Sequence, residues 1–517
     1  MHSSLWSASV VIIILLSGYV WQKFCKSSPP WIKEIASLGQ PRSRKFPGTA
    51  VVCGGSISGT VTARLLADHF ERVVVVDPEI ESEKKSRILQ YNAGHIFLHI
   101  FAAGARRLWP NFDEFIAAGG RVTPADMQLH FSGLPILTPW PHYVQGCFPD
   151  TIVTRRSTAQ KVLSILLRQH PTAEKVTLLP GTVRSIQPSS DMSSIQSITV
   201  RKLDGTQEVL NDIALVADCT GATQGGAKWL NSAGYALPED IRRTYNGNLR
   251  YVTICFFVPP ELGAALPIPE HARKAAVIYG YIGHDSSGLF FVRSDDGTYQ
   301  AVVSDAGTED GVLPKTASDL VPFLETFNGY SPIPHWLIEA VDMLCKNADT
   351  TFDSIKIPTQ SYIQYHRLPT KALPSNFVVV GDASLKLNPI HGQGFSKIIL
   401  NVAALNSLLR SANPAINLPR DFAARYFKKN AAYTQGLWDA TRLHDYGISG
   451  CEPMIGETKD TGRLMRWFEL KLVAAAIQDY EVASALWHVR HLLAADRVLL
   501  APTVLWKIFT ARSPFHY

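Results

Sequence analysis

The chain lacks most of the features that announce a function at first sight. Its seven cysteines (Cys25, Cys53, Cys147, Cys219, Cys255, Cys345 and Cys451) include no C-x-x-C pair and no zinc-type spacing, which excludes a redox dithiol and a structural metal site as organising elements. No N-x-S/T sequon, internal repeat or low-complexity tract occurs. There is no long basic block either: 50 Lys/Arg and 44 Asp/Glu leave a diffuse net charge of +6, too weak a field to argue for nucleic acid as a partner. Charged residues are scarce at 18% against 46% hydrophobic, with 35 Gly and 32 Pro, the balance of an ordered enzyme rather than a disordered or fibrous chain. A length of 517 residues corresponds to about three structural units at the usual domain size. Cys53 and Cys255 lie in apolar runs, where a free thiol behaves as a small hydrophobe, and the set fits a reducing compartment.

What is present begins with an almost uninterrupted apolar run from Leu5 to Trp21, about the shortest length that crosses the hydrocarbon of a bilayer. Lys23, Lys26, Lys33, Arg42, Arg44 and Lys45 follow it, and the positive-inside rule then leaves the body of the protein in the cytosol. Residues 1–28 are accordingly expected to form a single-pass membrane anchor with its flank, at the endoplasmic reticulum if the source is eukaryotic. The competing reading is a cleaved signal peptide, against which stand the lack of Lys or Arg before the run and of a small-x-small site after it.

Next comes Gly48-Thr-Ala-Val-Val-Cys-Gly-Gly-Ser-Ile-Ser-Gly59, an apolar-periodic stretch, and Arg72-Val-Val-Val-Val-Asp77. This reads as strand, glycine turn, helix and strand, ending in an acid. Gly54 makes the turn, Gly55 and Ser56 keep the backbone close to a diphosphate, Ile57 opens the helix and Gly59 lets it lie against the strand. Asp77, eighteen residues after Gly59, stands where a carboxylate accepts the hydroxyls of an adenosine ribose. Ser56 replaces the middle glycine of the usual fingerprint. The motif alone does not separate FAD from NAD, and an ordinary β-turn-α unit is its bland alternative.

A second and more specific pattern is Phe377-Val-Val-Val-Gly-Asp-Ala-Ser-Leu-Lys-Leu-Asn-Pro-Ile-His-Gly-Gln-Gly394, followed by a helical run. A buried strand ends at Gly381 and Asp382, and a loop with Pro389, Gly392, Gln393 and Gly394 enters a helix whose N-terminal dipole favours negative charge. Together the two patterns resemble the class A flavoprotein monooxygenases related to p-hydroxybenzoate hydroxylase and squalene epoxidase, the second pattern being most similar to the epoxidase-like and geranylgeranyl-reductase-like branch. Leu215-Val-Ala-Asp218-Cys-Thr-Gly221 resembles that family's strand-end motif, and Arg156 in Thr154-Arg-Arg-Ser-Thr-Ala-Gln160 resembles the arginine that opens a helix and reaches the flavin. The resemblance spans residues 48 to 410 with the motifs in matching order.

What the resemblance implies is an α/β protein with a Rossmann-like FAD-binding domain of the glutathione-reductase type, split between residues 46–225 and 360–410. A substrate-binding antiparallel sheet over 226–359 and a helical C-terminal region over 411–517 complete it. It implies non-covalent FAD held by the two glycine turns with Asp77, Arg156, Asp218, Gly221, Gly381 and Asp382, and NAD(P)H visiting transiently as co-substrate. The activity implied is transfer of oxygen from O2 to a lipophilic terpenoid or phenolic-isoprenoid substrate, by epoxidation or hydroxylation, in secondary metabolism. The family's departures here are Ser384-Leu385 in place of Ala-His, Asn401 and Val402 where an acid is usual, and no paired tryptophans of the halogenase kind. Two other readings remain open: a FAD-dependent isoprenoid reductase or dehydrogenase, and a non-catalytic prenyl-lipid-binding protein on the same fold.

No side-chain acid or base is nominated. The flavin-proximal candidates are Pro389, His391 and His99. His391 is read either as touching flavin or substrate, or as serving the loop through its backbone alone. His95 and His99 stand four apart and, on a helix, would share a face; a structural or flavin-edge role, substrate contact and metal binding are the choices, and no third ligand supports a metal. Arg156 is read as a flavin contact or as a salt-bridged helix start. Apolar segments at Tyr251–Phe257, 276–280, Leu289–Arg293 and Tyr299–Val303, with Asp296-Gly297 as a hairpin signal, predict an antiparallel sheet. Beyond Pro419 amphipathic helices are expected, packing over the pocket or lying in a membrane interface.

Overall fold

The computed structural model describes residues 17–83, 85–88, 90–284, 287–295, 297–306, 313–412 and 416–515. Its first layer is a five-stranded parallel sheet in the order Phe377–Val379, Ile213–Asp218, Phe46–Cys53, Phe70–Val76 and Val176–Leu179. The central strand is buried along nearly its whole length, which is why it reads as a continuous apolar run rather than an alternating one. Cys53 pairs in register with Asp218 on one side and Val76 on the other, so three strands end at one level and their following turns share one edge. Ligands of open parallel sheets bind at that carboxyl edge. The helix Ile57–Ala67 returns from it with all eleven residues buried, wedged between the sheet and the helix Gly394–Ser411. A three-stranded antiparallel sheet, Gly181–Pro188, Ile195–Lys202 and Gln207–Leu210, packs on the same unit.

The second layer is a seven-stranded sheet ordered Asp349–Lys356, Leu249–Phe257, Thr298–Ala306, Gly288–Arg293, Tyr279–Ile282, Leu129–Phe131 and Leu134–Pro135. Its last two strands come from a much earlier part of the chain than the segment from which a substrate sheet was expected. The strands are two-sided. Val252, Ile254, Phe256, Leu289, Phe291, Ala301 and Val303 pack against the helices Leu320–Glu325 and His335–Asn347, whereas the intervening Leu249, Tyr251, Phe290, Val292 and Val302 face a cleft between the sheets. The two-residue period of a strand produces this division.

The C-terminal region is helical, as expected, with helices Phe422–Asp445, Arg463–Ala476, Tyr480–Arg490 and Pro502–Thr510. The N-terminal reading needs correction. Leu5 to Leu16 lie outside the described residues, and among the described residues no helix is long and apolar enough to cross a membrane. The described end of the run, helical over 17–25, is tied to protein: Trp21 Nε1 donates to Leu500 O at 3.1 Å, Gln22 Nε2 to Thr503 Oγ1 at 3.1 Å. Cys25 is buried in the cluster formed by the last three helices. Trp21, Gln22 and Cys25 therefore engage the C-terminal helices, and the expectation of a single-pass anchor with a cytosolic body at the endoplasmic reticulum is withdrawn.

Candidate active site

The edge of the parallel sheet and the open face of the seven-stranded sheet enclose a cleft of about 490 Å³, within the range of small-molecule and cofactor sites. Its floor is the first glycine turn. Gly54 has φ +113°, and a Cβ there would stand 2.4 Å from Cys219 O; one on Gly59 would stand 1.8 Å from Gly54 O. Both positions therefore admit glycine alone. Gly55 N–H donates to Asp77 Oδ2 and Glu79 N–H to Asp77 Oδ1, each at 2.8 Å. Asp77 thus fastens the turn while lining the cleft, and each of its oxygens keeps a further lone pair for a ligand hydroxyl. Ser56 does not cap the helix it precedes. Its hydroxyl donates to Gln160 Oε1 at 3.1 Å, and Gln160 Nε2 returns a bond of 3.2 Å to Gly55 O. Gln160 ends the stretch Thr154–Gln160 that is read for its arginine alone, and its supporting role is what sequence reasoning missed.

The second turn closes the cleft from the other side. Gly381, at φ +73°, donates its N–H to Asn401 Oδ1 at 2.8 Å, so the asparagine standing where an acid is usual serves as a backbone acceptor. Asp382 opens onto the cleft and is paired at 2.6 Å with Lys397, whose ammonium is fully buried. Burial alone would raise the Asp382 carboxyl, but Lys397, Arg156 and Lys386 together hold it below its usual range. Asn388 Oδ1 accepts from Ile390 N–H at 3.1 Å and shapes the turn Pro389–His391, after which Gly392 takes φ +70°. A Cβ on Gly221, Gly392 or Gly394 would meet no atom within 4 Å; all three line the cleft, so a side chain there would occupy ligand space.

The helices Ile57–Ala67 and Gly394–Ser411 begin at this cleft, and neither has a side-chain cap. Their first N–H groups are thus left to a ligand, with a partial positive charge behind them. Arg156 lines the cleft beside Phe395, 5.9 Å from the ring, and its Nε is buried without a hydrogen-bond partner. The salt-bridged helix start belongs to its neighbour: Arg155 Nε lies 2.6 Å from Asp295, which also accepts from Thr154 Oγ1 and Arg155 N–H.

Several expected residues stand elsewhere. His95 and His99 do not share a helix face, because the helix begins at His99 and the chain before it is non-helical. His95 lines the cleft, its pKa pushed down to about 3 by burial and by Arg156. His99 is turned away, with Nδ1 2.6 Å from Asp150 O. His391 likewise leaves the cleft wall, with Nε2 3.1 Å from Asp445 Oδ1. Gln393 Nε2 donates to Arg490 O at 2.9 Å. Asp218 is fully buried behind the turn, accepting from Thr220 N–H, Thr220 Oγ1 and Gly226 N–H at 2.7–2.9 Å; it holds the segment that carries Gly221. Lys85, Arg87, Lys228 and Lys386 line the cleft and were not foreseen, since single lysines and arginines scattered over a loop, a helix and a strand carry no pattern of their own. Among the described residues, no group of three or more His, Cys, Asp or Glu is placed to hold a metal.

These features fit FAD. Uncapped helix starts suit its diphosphate, the unpaired Arg156 Nε and the open glycines at 392 and 394 suit a ring that gains negative charge on reduction and lies against backbone, and the mostly apolar face of the seven-stranded sheet borders the space beyond.

No family model matches the chain. It is 23% identical over 489 residues to Protein Rv3254 of Mycobacterium tuberculosis, covering 90% of this chain and 93% of that protein. Among solved structures it is similar to PqsL of Pseudomonas aeruginosa, a probable FAD-dependent monooxygenase, with TM-score 0.55, 16% identity and coverage of 78% and 97% of the two chains. p-Nitrophenol 4-monooxygenase PnpA of Pseudomonas putida aligns with TM-score 0.55, 15% identity and coverage of 87% and 100%. A flavoprotein/dehydrogenase of Cytophaga hutchinsonii aligns with TM-score 0.56, 12% identity and coverage of 89% and 95%. The resemblance read from the two glycine turns is thereby borne out in three dimensions: the chain has the fold of the FAD-dependent monooxygenases.

Proposed function

We propose that this protein is a FAD-dependent monooxygenase that takes electrons from NAD(P)H and transfers one oxygen atom of O2 to a lipophilic small molecule, by epoxidation or hydroxylation. The observation that carries this reading is that the turns at Gly54–Ile57 and Pro389–Gly394, more than 300 residues apart, wall one cleft to which the seven-stranded sheet adds a mostly apolar face. In this reading the helix starting at Ile57 takes the diphosphate of non-covalently bound FAD and Asp77 the adenosine ribose. Asp382 serves the ribityl side; Arg156 and the Pro389–Gly394 loop serve the ring. Bound FAD supplies the electron transfer and oxygen activation that side chains lack.

The chain's own contribution is positioning, charge and exclusion of water. Two helix N-termini stabilise negative charge at the ligand. The cleft-facing Leu249, Tyr251, Phe290, Val292 and Val302 support an apolar substrate, of which terpenoid and phenolic-isoprenoid compounds of secondary metabolism are the classes to try first. Residues 46–225 with 360–410 form the cofactor-binding unit in this scheme, 226–359 the substrate unit and 411–517 a helical cover.

The test is to purify the protein, record its visible spectrum, identify the released cofactor, and follow NADH or NADPH oxidation and O2 uptake with terpenoid and phenolic lipids. A product heavier by one oxygen atom supports the proposal, and a preparation that cannot bind flavin overturns it. The fold shared with a flavoprotein/dehydrogenase keeps a second reading, hydride transfer to or from an isoprenoid chain, which a product changed only in hydrogen would establish instead.

A further inference from the structure

The helix Phe422–Asp445 ends in a carboxylate that is completely withdrawn from solvent. That is an unfavourable place for one, since burial and the negative end of the helix dipole both oppose its charge. Three donors from two other parts of the chain offset this. Tyr245 OH donates to Asp445 Oδ2 at 2.7 Å, Asn388 Nδ2 to the same oxygen at 2.9 Å, and His391 Nε2 lies 3.1 Å from Oδ1. Two of the three donors flank Pro389 and Ile390 in the loop that walls the cleft. Both ends of the Asn388 amide are engaged: its nitrogen donates to Asp445 and its oxygen accepts from Ile390 N–H. The remaining ionisable neighbours are Cys451, which is buried, and His444, whose ring lies 5.1 Å from that of His391 and whose Nδ1 is 3.1 Å from Glu469.

Resting on the reading that the cleft takes FAD, we propose that Asp445 is a positioning residue for the flavin. From outside the cleft it clamps Asn388 and His391, and so fixes the turn and the start of the helix Gly394–Ser411 against the ring. His391 acts through this clamp and not by touching substrate. The clamp comes from the C-terminal helical region, which gives that region a part in the cofactor site.

The experiment compares wild type with His391→Ala, His391→Gln, Asp445→Asn and the double variant His391→Ala/Asp445→Asn, measuring three quantities: the thermal midpoint of the apoprotein, the FAD dissociation constant from quenching of flavin fluorescence, and the reduction potential of bound flavin. His391 is 22% exposed, so water can enter beside Asp445 when the ring is truncated. H391A is expected to lower the apoprotein midpoint by roughly a few degrees, through the donor lost to Asp445, and in addition to weaken FAD about tenfold, as loss of one charge-assisted hydrogen bond implies, and shift the potential. H391Q, whose amide still donates, restores most of the affinity and of the potential. The double variant loses no more than D445N alone. If D445N fails to fold, the His391 pair decides. Wild-type affinity and potential in H391A, or losses that H391Q does not recover, overturn the assignment. A wild-type protein that binds no FAD overturns instead the reading on which it rests.

Discussion

The ammonium of Lys397 is fully buried and lies 2.6 Å from the Asp382 carboxylate, which is itself half open to the cleft. The lysine thus neutralises from behind a charge that the cleft presents in front. Replacing it by methionine keeps the volume and leaves Asp382 alone. The expected loss is about 2 kcal/mol, below the ~3–5 kcal/mol of a fully buried broken pair because water reaches Asp382. The sign with pH follows from the depressed carboxyl: its contribution is present above the unfolded pKa of about 4 and is lost as pH falls through the lower folded value. Urea unfolding of wild type and K397M between pH 7 and 3 should therefore converge at the acid end.

Gly54 and Gly392 both take positive φ, yet they should fail differently. Gly54→Ala drives a Cβ to 2.4 Å from the Cys219 carbonyl oxygen, and the protein should unfold or lose more than about 3 kcal/mol, combining strain with a backbone clash. Gly392→Ala meets no protein atom. It should cost only about 1 kcal/mol of backbone strain, yet deplete bound flavin, because its Cβ projects into the cleft. Thermal midpoints with flavin content per chain separate the two outcomes.

The adjacent arginines divide two tasks. Arg155→Met breaks the pair with Asp295 that ties the helix Arg156–Gln169 to the seven-stranded sheet, and should lower stability by about 1–3 kcal/mol. Arg156→Met relieves a buried cation whose Nε has no protein partner but gives up its attraction to Asp382, so the apoprotein should be about as stable as wild type, while FAD binding weakens by about tenfold or more. Equal stability losses in both variants would refute this division.

His95 offers a test of pH dependence. Its folded pKa, about 3, lies below the unfolded value of about 6.5, so the unfolded chain binds the extra proton between those limits. The buried neutral ring therefore costs stability progressively as pH falls from 6.5 towards 3. H95Q should lose less stability than wild type over that interval. Between pH 7 and 9 the two should titrate alike, since the ring is neutral there in both states.

Both glycine turns were legible because their signals are local: a strand end, a glycine that alone fits, and an acid or proline at fixed distance. Their convergence was legible only through resemblance, since no periodicity links Gly54 to Gly392. What stayed hidden depends on contacts between distant segments. Gln160 stands in a stretch read only for its arginine, and Asp445 looks like an ordinary helix residue, until the fold sets both behind the turns. Asp218 carries a recognisable motif, yet its carboxylate is spent on Thr220 and Gly226, which spacing alone does not reveal. His95 and His99 were paired by a helical period that begins one turn later than assumed. At the described end of the apolar N-terminal run, hydropathy does not reveal that Trp21 and Gln22 bond to Leu500 and Thr503 of the C-terminal region.

The alternation along the strands Leu249–Phe257, Gly288–Arg293 and Thr298–Ala306 has an evolutionary consequence. Odd and even positions answer to different constraints, one set to the helices that hold the sheet together and the other to whatever molecule is bound. Exchanges such as Tyr251 or Val302 for residues of other size would reshape the chamber while the opposite side keeps its packing. A lineage could thus change diet through a handful of alternate letters without rebuilding its frame.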